Sequence, residues 1–331
     1  MPLSSISQSA SVDTQSLAQS LANISAPSLE STILHAYNES SLPASVPKPH
    51  NALLDGLRAH PLGHLPCTAL LSSLSDPTNN VNNASAPLAA FFSLSTIATF
   101  LSSNRVQSLD HRLQIRKSLL TFINPPVLLP WHSLPYILQK ASLCMALLIK
   151  RDYPTNYPTA FTTLLDLSIS PQPRHTKLFL LALICLIDEV VQFSDARDKD
   201  EMARNATIKD AMRGIGQHEG QDHHETPIAS LITAMIAIIR APATPTNEDL
   251  PVLSLTCLKL YLNWIDLSLI MSDHVLSTLY TSLSLPHLKH GAVDCVLEIV
   301  NKGMDEAVKL QVRRARELGE GSELEGETGG A

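Results

Sequence analysis

From residue 88 onward, apolar positions recur every three or four residues, the spacing that places side chains on one face of an α-helix. The pattern predicts helices over Leu88–Ser103 and Leu109–Ile123, interrupted by the polar stretch that ends at Ser108. A further helix opens at Pro135, carries Ile137, Ala141, Cys144 and Leu148 on one face, and stops at Pro154, whose ring cannot continue the hydrogen-bond ladder. A shorter helix over Tyr157–Ile169 pairs with it. After these come an apolar core helix at Lys177–Phe193, a more polar one at Asp200–Met212, and another apolar one at Ile228–Arg240. The stretch Leu255–Asp305 reads as two long apolar helices with a short one between, and Trp264 falls on the central helix. Upstream the pattern is weaker. Short helices are expected at Asn51–His60 and Leu65–Ser75, with fainter helical patterns between residues 13 and 24 and between residues 28 and 38. Asp76–Pro87, Gly214–Thr226 and Ala241–Pro251 have no period and are rich in turn residues, so they read as loops.

No segment shows the two-residue alternation of a half-buried strand, and the fold class expected is all-α. Pairs of antiparallel helices at a loose period of ~40–50 residues suit a HEAT-like α-solenoid, in which each pair buries its apolar face on the next. A compact helical bundle fits the same pattern. The implied organisation is a Ser/Pro-rich segment with short helices over 1–50, helical repeats over 51–316, and an acidic, Gly-rich disordered tail over 317–331.

Composition narrows the chemistry. Apolar residues make up 44% of the chain and aromatics only 5%, which favours helix on helix over sheets. The formal charge is −7, but Glu317–Ala331 alone holds five glutamates and no cation, so the body is close to neutral. Any nucleic-acid contact must come from a local patch rather than a global positive field. The five cysteines are far apart and four sit in apolar runs, as expected of buried free thiols rather than a disulfide framework or a zinc site. The opening residues lack the basic and apolar regions of a secretory signal, and the longest apolar runs are about half a membrane crossing. No Gly-rich phosphate loop, Gly-x-Ser-x-Gly elbow or His-Glu-x-x-His pair occurs, so no enzyme activity, cofactor or metal is expected.

Three blocks are more specific than helical periodicity. They are Asp-Glu-Met-Ala-Arg-Asn-Ala-Thr-Ile-Lys-Asp-Ala-Met-Arg (Asp200–Arg213), Tyr-Leu-Asn-Trp-Ile-Asp-Leu-Ser-Leu-Ile-Met-Ser-Asp (Tyr261–Asp273) and the run from Asp294 to Gln311 that contains Glu-Ile-Val-Asn-Lys-Gly-Met-Asp. In order and spacing they resemble the N-terminal third of the exportin-T family, the tRNA exportins of the importin-β superfamily. The likeness covers roughly Pro135–Gln311. It implies a HEAT-repeat receptor that binds tRNA together with the GTP-bound form of the GTPase Ran. It also implies passage through the nuclear pore by way of pore proteins, and shuttling between nucleus and cytoplasm. The chain ends where most of such a superhelix would still follow. A rival reading is a helical scaffold, or another receptor of the superfamily, that carries protein cargo.

With the resemblance in hand, Lys209 and Arg213, at i and i+4 with Arg204 nearby, become candidate phosphate-facing cations. They could equally form a solvated face, with Asp210 as counter-charge. Lys309, Arg313 and Arg316 form a second basic face opposite Val308, Val312 and Ala315, open to the same two readings. Trp264, Asp266, Asp294, Glu298, Asn301, Lys302 and Gly303 are the family-signature positions and read as structural. Trp264 is expected to pack between repeats with its N–H bonded nearby, and the two aspartates to cap or bridge helices. Lys302 and Gly303 are expected to close a helix, the cation at the dipole and the glycine free to turn. His218, His223 and His224, with Asp222 and Glu225, fit no closed metal site and read as a polar loop.

Overall fold

A computed structural model of the protein describes residues 23–76, 84–191, 199–215, 226–242, 244 and 247–302. Among these residues every regular element is helical and no strand occurs: the fold is all-α, built of HEAT-like helix pairs. It divides into two compact units, residues 1–148 and 149–331.

In the first unit α1 (Ala26–Ser40) packs on α2 (Pro49–Ala59), α3 (His64–Leu74) and α4 (Ala86–Ser102), while α3 also lies against α5 (Leu109–Ile123). Local chemistry explains the starts of these helices. The Ser25 and Ser108 hydroxyls accept from the free amides of Ser28 and His111, and Pro27, Pro49 and Pro87 occupy first-turn positions where no N–H is needed. Pro87 therefore opens α4 rather than closing the loop that the turn-rich sequence suggested. α2 is secured at both ends by charges from other segments. Its first amides, of His50 and Asn51, donate to the Glu39 carboxylate at 3.0 and 3.1 Å. At its other end the Arg105 guanidinium donates to the carbonyls of Arg58, Ala59 and His60 at 2.6–3.0 Å and stacks on Phe100. An anion at the N-terminus and a cation at the C-terminus both match the helix dipole. α3 follows α2 so closely that a Cβ on Gly63 would meet the Leu57 carbonyl oxygen at 1.9 Å; only glycine fits this turn.

α6 (Pro135–Asp152) runs across the boundary between the units. The second unit then holds α7 (Ala160–Ser168), α8 (Pro173–Leu186) with a π-helical turn over Ile187–Val191, α9 (Lys199–Met212), α10 (Pro227–Arg240), α11 (Leu250–Leu262), the one-turn α12 (Leu267–Ile270), α13 (Asp273–Leu283) and α14 (Lys289–Asn301). α11 is its hub and touches α8, α10 and α14. Its side chains interlock with each neighbour: the Tyr261 hydroxyl donates to the Leu183 carbonyl at 3.2 Å, and Ser254 to the Met235 carbonyl at 2.9 Å. The Cys295 thiol donates to the Leu255 carbonyl at 3.4 Å, where a hydrogen in place of a side chain at Gly291 lets α14 approach Leu255. The stretch Leu255–Asp305 thus holds the end of α11, two intervening helices and α14, one element more than its periodicity suggested.

All five cysteines are free, four of them buried. Burial pushes the Cys67 and Cys295 thiols up to about 12, so they act as small apolar groups. Among the described residues no helix is long and apolar enough to cross a membrane.

Candidate nucleic-acid interface

The charged block folds as α9, a polar helix that buries only Asn205, Ile208 and Met212. So small an apolar face cannot hold a helix in place alone, and polar anchors secure both ends. At the start, the largely buried Lys150 ammonium, from the last turn of α6, bridges Glu189 Oε2 at 2.8 Å and Glu201 Oε1 at 2.6 Å. Glu201 stands in the first turn of α9, where the dipole favours an anion. The Asn205 amide, one turn on, donates to the Glu189 carbonyl at 3.4 Å.

Arg204 and Lys209 are half-buried on α9, and among the described residues neither side chain has a hydrogen-bond or ion-pair partner. Arg213 differs. Arg213 follows the last residue of α9 and its amide still donates to the Lys209 carbonyl at 3.1 Å, but its side chain is engaged elsewhere. Its guanidinium lies 5.0 Å from the centre of the Trp264 ring and donates to the Trp264 carbonyl. To reach a phosphate it would have to leave that carbonyl.

Trp264 lies in no helix. The chain exits α11 at Leu262, the amides of Trp264 and Ile265 both fold back onto the Tyr261 carbonyl at 3.2 Å, and Asp266 is extended at the start of α12. With these amides drawn to a single carbonyl, the carbonyls of Leu262, Trp264 and Ile265 are left for other donors near the negative end of the α11 dipole. Lys302 satisfies two of them, donating to the Leu262 carbonyl at 2.7 Å and to that of Ile265. Its charge does sit at a helix C-terminus, as its sequence position suggests, but the helix is α11 and not the α14 it follows. Burial draws the Lys302 ammonium below its usual range, and Asp266 opposes that shift. Asp266 is exposed and makes no side-chain cap bond to α12. The Trp264 indole N–H finds no acceptor among the described residues, contrary to the expectation of a nearby bond. Asp294 does bridge helices: its Oδ2 accepts from Lys259 on α11 at 2.8 Å, and Glu298 adds to the negative field around that ammonium. Asn301 ends α14, exposed. Gly303, Lys309, Arg313, Arg316, the tail over 317–331 and the histidine cluster at 218–224 lie outside the described residues.

A second surface feature is apolar. α7 and α10, with Thr176 of α8 and Leu250 and Pro251 of α11, enclose a groove of about 680 Å³. Small residues on α10, including Ser230, Ala234 and Ala237, form its floor. Leu165 and Ile169 form a wall, and Ile169 is 81% exposed. Among the described lining residues Asp166 is the only charge, so the groove suits apolar side chains and not phosphate.

Residues 134–296 match the family described as Exportin 1-like protein. This segment is exportin-like. Human Exportin-T is 31% identical over 198 residues, which are 60% of this chain and 19% of that protein. Exportin-T of Dictyostelium discoideum is 30% identical over 184 residues, 55% of this chain and 15% of its own. Exportin-T of Oryza sativa subsp. japonica is 28% identical over 238 residues, 70% and 23%. The chain thus spans about a fifth of the length of these curated relatives. The exportin-like segment contains all of α9, Arg213, Trp264 and the hub helix α11, and ends within α14.

Sequence reasoning missed the anchors of α9. Lys150 closes an apolar run as many surface lysines do, and nothing in the spacing of residues 150, 189 and 201 shows that they meet. The groove was also missed, although the small residues recurring at helical spacing along α10 were a usable signal.

Proposed function

We propose that the protein is a nuclear export receptor for tRNA that binds tRNA cooperatively with Ran in its GTP-bound form and shuttles between nucleus and cytoplasm, engaging nuclear pore proteins on the way. The observation that carries this reading is the exportin-like segment, which holds the charged helix α9 together with the Lys150–Glu189 anchor at its start. The role is carriage and not catalysis. tRNA is a folded, backbone-rich ligand, and Lys or Arg bonds to phosphate oxygens serve a reader of shape without base-specific bonds. Arg204 and Lys209 are the phosphate ligands we assign on α9, since both lack a protein partner there. Lys309 and Arg313 are assigned on sequence grounds as a second patch. Arg213 belongs to the structural frame and would contribute only indirectly. Cooperativity follows if Ran and tRNA favour the same arrangement of the helix pairs, so that each ligand offsets part of the ordering the other requires.

The test is retention of tRNA by the full chain with and without Ran locked in its GTP state. Binding in the presence of Ran should weaken steeply with salt. Arg204→Ala/Lys209→Ala should lower that salt slope by about one for each phosphate no longer neutralised. An unchanged slope would remove these two residues from the interface, and no retention of tRNA under any condition would sink the reading. The apolar groove between α7 and α10 favours the second reading, a receptor for protein cargo; salt-insensitive capture of a peptide without tRNA would support it instead.

A further inference from the structure

α10 carries its large aliphatics on one side, where Ile228, Leu231, Met235, Ile236 and Ile239 are buried. Its other side is a row of small residues, Ser230, Ala234, Ala237 and Ala241, that are partly or fully exposed. The helix has a single charge, Arg240, where a solvent-facing side ordinarily carries several. The row extends for about 16 Å, three helical turns, along the floor of the groove against α7. The mouth of the groove is acidic. Asp166 lines it and Glu248 adjoins the lining residue Asn247; both are exposed and neither has a hydrogen-bond or ion-pair partner among the described residues. The cations of the flanking helices are engaged elsewhere, Lys177 with Asp249 and Arg240 with His274.

We propose that this groove docks a basic, amphipathic helix of a protein partner, with its apolar stripe on the α10 floor and a Lys or Arg at Asp166. The apolar lining selects a helix. It offers an extended peptide few partners for its backbone amides and carbonyls, whereas a helix pairs its own. A floor of serine and alanine also lets a helix axis approach to about 8 Å, the short end of helix packing. The unpaired carboxylates select the charge of the partner. The proposal rests on the second reading above, that the groove takes a protein, and not on tRNA retention, since no residue of α9 is among those lining it.

The test measures binding of a synthetic helical peptide to the full chain by fluorescence anisotropy. The probe has about 16 residues, with leucines at i, i+4, i+7 and i+11 and lysines flanking that stripe. The parent should bind it. Ala234→Phe/Ala237→Phe, which fills the floor, should weaken binding at least ~10-fold while the helical signal of the protein persists. Asp166→Lys, at an exposed position, should weaken it about 3-fold. A probe with glutamates in place of its lysines should reverse the order, binding Asp166→Lys better than the parent. No binding by the parent, or binding that both variants leave unchanged, would overturn the proposal. Equal binding of a proline-interrupted peptide of the same composition would also overturn it, since the occupant would then be an extended segment, with the protein reading left intact. Self-association of the parent that Ala234→Phe/Ala237→Phe abolishes would overturn it too, the occupant then being a second copy of the chain.

Discussion

Arg213 follows the last residue of α9, and the partner its side chain finds there decides its role. Its side chain meets the Trp264 carbonyl just beyond α11, where a cation is favoured by both the dipole and a charge-assisted bond. Arg213→Ala should therefore destabilise the protein by about 2 kcal/mol, through removal of that bond and of the stacking on Trp264, seen as a lower denaturation midpoint. Lys209→Ala should change stability by less than about 0.5 kcal/mol. Equal, small losses in the two variants would contradict this division of roles. His64 offers a second residue-scale test. It is 1% exposed, with Phe100 and His111 ring centres at 5.3 and 5.1 Å, and its Nε2 lies 3.2 Å from His111 Nδ1. Burial first, then the charges of His111 and Arg105, push it down to about 4. Its pKa is lower folded than unfolded, so protonation favours the unfolded chain. The contribution is complete above the ordinary histidine value near 6.5 and is lost as pH falls from there through 4, by up to about 3 kcal/mol. His64→Gln should flatten the pH dependence of the denaturation midpoint across that window; an unchanged slope would show that His64 is not its source.

At the scale of elements, α9 and α11 are opposites. α11 is held by its neighbours through buried aliphatics and Tyr261, and its place follows from its apolar pattern. α9 offers three buried side chains and depends on Lys150, whose ammonium neutralises Glu189 and Glu201 together. Lys150→Met would leave two carboxylates facing each other in a partly buried site, at a cost of about 2–4 kcal/mol. The effect should be local: hydrogen exchange in α9 should accelerate at least ~10-fold while α11 keeps its protection. Adding Glu189→Gln and Glu201→Gln to Lys150→Met should recover part of the stability, because no unpaired charge remains. Uniformly faster exchange across the second unit would mean that Lys150 supports the unit as a whole and not the helix.

Across the whole molecule, the helical class, the near-neutral body, the free thiols and the exportin-like blocks were legible from the order of residues. Helical periodicity and block spacing are local properties, set within a few turns of chain. Thus the helices from α4 to α10 lie close to where apolar spacing put them. Termini shifted where Pro87 and Pro173 start helices that turn chemistry or apolar content alone would have begun later. The candidate site was legible in composition but not in geometry. Lys209 and Arg213 share a face in a helical projection, yet one of them is bound to Trp264 and the other is not. Trp264 looked helical because Leu262, Ile265 and Leu269 keep the apolar rhythm through a turn. What the sequence by itself determined is which residues form helices and which face of each is apolar, because those depend on neighbours three and four positions away. Only the tertiary structure decided which charge meets which carbonyl or carboxylate, as Lys150 meets Glu201 and Lys302 meets the end of α11, because partners 40 to 50 residues apart leave no mark in local periodicity.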